Sequence, residues 1–179
     1  MYVQRNLVAL VATILVAVPA AGLAQQQSKS AALAAELTKL LDENKLDSVA
    51  AKTADQYVGA LYIQGTQLLV VQAKYTVPER MNQLISTKAY RDAYIDLNSA
   101  SDLKTKIFIS DLGANGLRFK RENNQPWDTV DLPGKSIAFD GEWDKAKISE
   151  AEYTKTFQTT DDQYVQMLQA LISALKKPS

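Results

Sequence analysis

Apolar and polar positions alternate at two periods along this chain, and each period marks a different kind of element. The spacing of Leu33, Leu37, Leu40 and Leu41 places four apolar side chains on one helical face. With Ser30 as N-cap, this predicts a helix over Ala31–Asp42. Asn44-Lys45 ends it, and Leu46–Ala51 reads as a short second turn of helix. From there the period changes to two. Gln56–Ile63 and Gln67–Tyr75 read as strands joined at Gly65-Thr66 by a tight turn. In the second of them Leu69, Val71, Ala73 and Tyr75 share a face, while Leu68, Val70, Gln72 and Lys74 line a face that turns polar.

Thr76 and Glu79 have capping-box spacing, with Pro78 in the first turn, so a central helix is expected to run to about Tyr90. Ala93, Ile95 and Leu97 alternate as a strand, and Asn98–Leu103 is a loop. Lys104–Leu112 is the next strand, with Ile107 and Ile109 on one face. Asn115-Gly116 signals a type I′ hairpin, with Leu117 and Phe119 beginning the return strand. Glu122–Pro126 reads as a loop, Thr129–Leu132 and Ser136–Phe139 as two short strands, and the region around Trp143 as a short helix. Ser149 and Glu152 form a second capping box ahead of a closing helix. That helix carries Tyr153, Phe157, Tyr164, Leu168, Leu171, Ile172 and Leu175 at helical spacing. The order predicts one α+β domain over residues 31–176. It consists mainly of an antiparallel sheet or split barrel, with flanking N-terminal, central and C-terminal helices.

The first 24 residues follow a different pattern. Arg5 precedes an apolar run, Leu7–Val18, that Pro19 ends, and Gly22 and Ala24 precede the polar Gln25. This is the layout of a signal peptide for the general secretory route, cut after Ala24. The run is shorter than the roughly 20 residues a bilayer span needs. The expectation is an exported protein, periplasmic or extracellular, with no stable membrane anchor after cleavage. Residues 25–30 are expected to be a disordered lead-in.

Composition then narrows the chemistry. The chain has 20 basic and 20 acidic residues, and loss of Arg5 leaves the mature chain one acid in excess. That balance offers no footprint for nucleic acid. Cys and His are both absent, so neither disulfides nor His-dependent nucleophilic systems are available. The common His and Cys metal ligands are missing too.

Four groups of residues carry candidate chemistry. Asp140, Glu142 and Asp144 have the opening spacing of a calcium loop, but Lys145 stands where Gly is required and Ala151 where a bidentate Glu is required. No metal site is therefore expected, nor any catalytic residue. Asp92, Asp96, Asp102 and Asp111 are read as solvated carboxylates rather than a hydrolytic pair. Lys104, Lys106, Arg118, Lys120 and Arg121 flank the expected Asn115-Gly116 hairpin and would share a face, suited to an acidic ligand or to protecting an edge. Tyr57, Tyr62, Tyr75, Tyr90 and Tyr94 gather in the β-rich half. Of these, Tyr57, Tyr62, Tyr75 and Tyr94 are the candidates for a ligand slot or an interface.

From Tyr57 to Leu117 the order hairpin, helix, strand, strand resembles the FMN-binding split-barrel proteins related to pyridoxamine phosphate oxidase. A roadblock-like or profilin-like sandwich has a similar order. The split-barrel resemblance implies a flavin phosphate near Lys74-Tyr75-Thr76-Val77-Pro78-Glu79-Arg80, with Lys74, Thr76 and Arg80 as its contacts. The adjacent basic pair typical of the oxidase is missing, and Glu79 places a like charge beside any phosphate. The segments YIDLNSAS and DLGANGL are similar to segments of uncharacterised secreted bacterial proteins. The leading expectation is a non-enzymatic binding or interaction domain without cofactor, engaging a ligand, a protein partner or a second copy of itself. An FMN-binding protein or redox enzyme is the alternative.

Overall fold

The computed structural model describes residues 28–54, 56–75 and 104–176. The signal-peptide region, the expected central helix and the Ala93–Leu97 strand lie outside the described residues, as do Thr76, Arg80, Tyr90, Tyr94, Asp92, Asp96 and Asp102.

Helix α1 spans Ala31–Glu43. Six strands follow: β1 (Ser48–Lys52), β2 (Tyr57–Ile63), β3 (Leu68–Lys74), β4 (Thr105–Leu112), β5 (Asp128–Leu132) and β6 (Lys135–Phe139). They form one antiparallel sheet in chain order, with β1 and β6 at its edges. Helix α2, Glu150–Lys176, closes the domain. The fold is α+β, built on an antiparallel sheet.

Register explains the core. Val49, Ala60, Val71, Ile109, Val130 and Ile137 are successive cross-strand partners, so one apolar row crosses all six strands. A second row, Ala51, Val58, Ala73 and Ile107, lies beside it. Both rows are buried together with Leu37 and Leu41 of α1 and with the apolar side of α2. The 27 residues of α2 reach about 40 Å at 1.5 Å per residue, enough to cross the sheet. Its first turns meet β6, where Tyr153 and Phe157 pack edge-to-face on Phe139 and Phe119 at centroid distances of 5.2–5.8 Å. Its last turn reaches α1 through the Lys176–Glu36 ion pair. Among the described residues, no helix is long and apolar enough to cross a membrane.

The structure departs from the sequence-based expectations at several places. Leu46–Ala51 is not helical; its second half is strand β1, held by pairing with β2. Ser30 is not a side-chain N-cap but sits in helical conformation, its hydroxyl directed to α2. The β2–β3 connection is a 3-10 turn, Gln64–Thr66, in which Gln67 rather than Gly65 takes a positive φ, 49°. The region around Trp143 forms turns, not a helix. Of the Ser149–Glu152 capping box, the bond from Glu152 N to Ser149 Oγ is present, at 3.2 Å.

The largest departure is at Asn115-Gly116. No return strand follows, and positive φ falls on Gly113, Ala114 and Gly116 but not on Asn115. A type I′ turn needs positive φ at both central residues, so the hairpin does not form. The cations expected to share its face are dispersed. Lys106 bonds Gln56 Oε1 at 3.1 Å, Arg118 turns inward to Asp128, and Arg121 lies over the Trp127 ring at 5.7 Å.

Candidate functional site

Three buried carboxylates organise the polar interior. Asp111 continues the alternation of Ile107 and Ile109, so it faces the helices and is fully buried. This corrects the expectation of a solvated side chain. Asp128 precedes Thr129, the partner of Ser110, and therefore lies beside Asp111 on the same face. Asp161 projects from α2 and is 4% exposed.

Each carboxylate is held by donors from the chain itself. Asp111 accepts from Asn115 N (3.2 Å), Gly116 N (2.8 Å) and the Tyr164 hydroxyl (3.0 Å). Asp128 accepts from Leu112 N and Arg118 N, both at 2.8 Å, and from Arg118 Nε at 3.4 Å. Asp161 accepts from Ser28 Oγ (3.0 Å), Lys29 N (2.7 Å), Ser30 N (3.3 Å) and Ser30 Oγ (2.6 Å). Ser30 Oγ in turn accepts from Leu117 N at 3.1 Å, which ties the 112–118 loop to the N-terminal segment and to α2. Burial and the Asp128 charge push Asp111 up to about 6. Burial raises Asp128 as well, against donors from Arg118 and Leu112 that lower it. Tyr164 is raised well above its ordinary value by burial and by the surrounding carboxylates. Such shifts accompany both catalytic and structural groups. Here each carboxylate accepts from two backbone N–H groups and at least one side chain, which is the arrangement of a loop anchor.

A second buried hydroxyl works similarly. Tyr153 donates to Phe119 O and accepts from Gly141 N, both at 2.9 Å, joining two loops to α2. Burial pushes it up to about 12.

The described tyrosines separate. Tyr57 is fully buried and pairs across the sheet with Lys74. Tyr75 is 52% exposed, with Lys106 Nζ 5.5 Å from its ring centroid. Tyr62 points to the opposite face and the opposite end of β2 from Tyr57. It forms one wall of a cleft of about 450 Å³, completed by Asp42, Lys45, Leu46, Asp47 and Gln64. Gln64 Nε2 donates to Asp42 Oδ1 at 3.1 Å, so two of the lining residues are bonded to each other. The cleft lies at the C-terminal end of α1, where the helix dipole is negative and no basic residue occupies the last turn. Sequence reasoning singled out Tyr62 but not the acids. Their signal was position alone: Asp42 at the end of the first predicted helix and Asp47 just past its Asn44-Lys45 break.

Lys74, the expected phosphate contact, is 6% exposed on the other face of the sheet from the helices, and burial lowers its pKa. Glu142 is paired with Lys145, and Asp140 Oδ1 accepts from Glu142 N at 2.9 Å, closing a turn. Among the described residues, no group of three or more acids stands close enough to hold a metal ion. No family model, curated protein or solved structure matches the chain.

Proposed function

We propose that the mature chain is an exported, non-enzymatic binding domain whose ligand site is the Tyr62 cleft. The observation that carries this reading is the contrast between two sets of acids. Asp111, Asp128 and Asp161 are enclosed and held by the chain's own N–H and O–H groups. Asp42 and Asp47 also accept side-chain bonds, from Gln64 Nε2 and Ser48 Oγ, but they line an open cleft with an aromatic wall. Two carboxylates at the negative end of a helix, beside a phenol ring, favour an ammonium or guanidinium group. Lys45 on the rim leaves the lining with one net negative charge, so the favoured ligand is a small cation or a basic side chain of a partner. Export rests on the Leu7–Val18 run and the Ala24–Gln25 junction. Calorimetric titration with free arginine and with spermidine tests the site. Saturable binding is expected, weakened about tenfold or more in Tyr62→Ala, since a cation–aromatic contact contributes about 0.5–2 kcal/mol beside the packing it brings. Identical isotherms for the two proteins would remove Tyr62 from the account.

FMN binding is the second reading, and one observation favours it. Lys74 is a buried cation with no ion pair among the described residues, as a site awaiting a phosphate would present. Purified protein would then be yellow, or would quench added FMN, with the effect lost in Lys74→Met. A colourless protein that leaves FMN fluorescence unchanged eliminates this reading.

A further inference from the structure

The Asp111–Asp128 pair holds more negative charge than its surroundings balance. Asp111 on β4 and Asp128 on β5 are both fully buried, and among the described residues the one cation that reaches them is Arg118, bonded to Asp128. From α2 the facing titratable groups are Tyr164, hydrogen-bonded to Asp111, and Asp161, bonded to the N-terminal segment. From β3 the cross-strand neighbour of Asp111 is the apolar Leu69. Lys29, the charged residue of the N-terminal segment, directs its ammonium to Asp162 at 2.6 Å. With both carboxylates ionised the trio Asp111, Asp128 and Arg118 carries one net negative charge in a buried site, and one proton neutralises it.

We propose that Asp111 and Asp128 form a proton-operated latch on the 112–118 loop and, through it, on the N-terminal segment. A proton on Asp111 Oδ1 displaces only the 3.2 Å contact with Asn115, while Gly116 N and the Tyr164 hydroxyl remain on Oδ2. Gly116 and Leu117 are the residues that touch the N-terminal segment. A Cβ at Gly116 would lie 2.5 Å from Ala31 N, and Leu117 N donates to Ser30 Oγ. The loop donors favour the ionised carboxylate, but burial and the Asp128 charge outweigh them. The latch therefore closes on protonation and loosens as ionisation favours release of the carboxylate to water. The direction follows from linkage. The folded pair binds a proton more tightly than the unfolded chain, whose Asp titrates near 3.8. The stabilisation is complete below that value and is lost as pH rises through about 6.

The test is hydrogen exchange of the Gly116 and Leu117 amides in the full mature chain, expressed as protection factors so that intrinsic exchange is divided out. Between pH 5 and pH 7 protection is expected to fall about tenfold in the wild type, the ratio that a shift of this size gives over that window. In Asp111→Asn the fall is expected to shrink to within about twofold. Should Asp111→Asn not fold, Asp128→Asn supplies the second test, because removing the neighbouring charge moves the midpoint of the fall to lower pH. Equal wild-type protection at both pH values, or an unchanged fall in whichever variant folds, overturns the latch.

Discussion

Gly116→Ala is expected to destabilise the domain by about 3 kcal/mol or more. Two costs combine. Gly116 has φ +87°, where a side chain adds about 1–2 kcal/mol of strain. Its Cβ would also stand 2.5 Å from both the N and the Cα of Ala31, backbone that cannot rotate away. The start of α1 must move, and the Leu117–Ser30–Asp161 chain of hydrogen bonds must break with it. Two other glycines calibrate the result. Gly134 has φ +76° but open space around its Cβ position, so Gly134→Ala should cost only the strain. Gly65 has neither a positive φ nor a neighbour within 4 Å, so Gly65→Ala should be neutral or stabilising by a few tenths of a kcal/mol. Urea denaturation of the three variants reads this order directly. A Gly116→Ala midpoint no lower than that of Gly134→Ala would mean that the loop does not pack on α1 as described.

Asp161→Ala is the second large effect, expected at about 3 kcal/mol. The substitution leaves Lys29 N and Ser30 N without their acceptor and frees the Ser28 and Ser30 hydroxyls. Each buried donor so orphaned costs about 1–3 kcal/mol, reduced where water can enter. The loss should be local first, since the segment lies at the edge of the fold. Limited proteolysis is therefore expected to cut near Lys29 in Asp161→Ala under conditions where the wild type is resistant. Asp162→Ala is the control. Its carboxylate holds the exposed Lys29 ammonium, a pairing that solvent screens, so stability should change little.

Both effects arise in a part of the molecule that the sequence pattern described incompletely. The periodic elements were legible because burial repeats with the backbone. Leu69, Val71 and Ala73 face the helices as their alternation requires, and so do Ile107 and Ile109. The closing helix buries Tyr153, Phe157, Tyr164, Leu168, Leu171 and Ile172, the residues its spacing selects. Strand β1 was misread because Ala50-Ala51 suits a helix, and pairing with β2 overrides that preference. The Asn115-Gly116 hairpin failed for a different reason. Its turn closes on a side chain, the Asp111 carboxylate, rather than on a partner strand. A signal for this was present. Extending the alternation of Ile107 and Ile109 by two residues puts Asp111 in the core, where an acid needs donors, and the N–H groups just after it are the nearest supply. Asp128 and Asp161 had no such local signal. They meet Arg118 and Ser30 only through sheet register and helix packing, at separations of 10 and 131 residues. The Tyr62 cleft was legible only in its tyrosine, because its acids come from the end of α1 and the entry to β1.

The binding reading divides the acids of this domain into anchors and ligand contacts, and one measurement separates them: a map of backbone amide chemical shifts of the mature protein during titration with arginine. The reading predicts saturable shifts at Lys45, Leu46, Tyr62 and Gln64, with Asn115, Gly116 and Leu117 unmoved. Shifts centred on the Asp111 loop, or no saturable shift at the cleft, would contradict it.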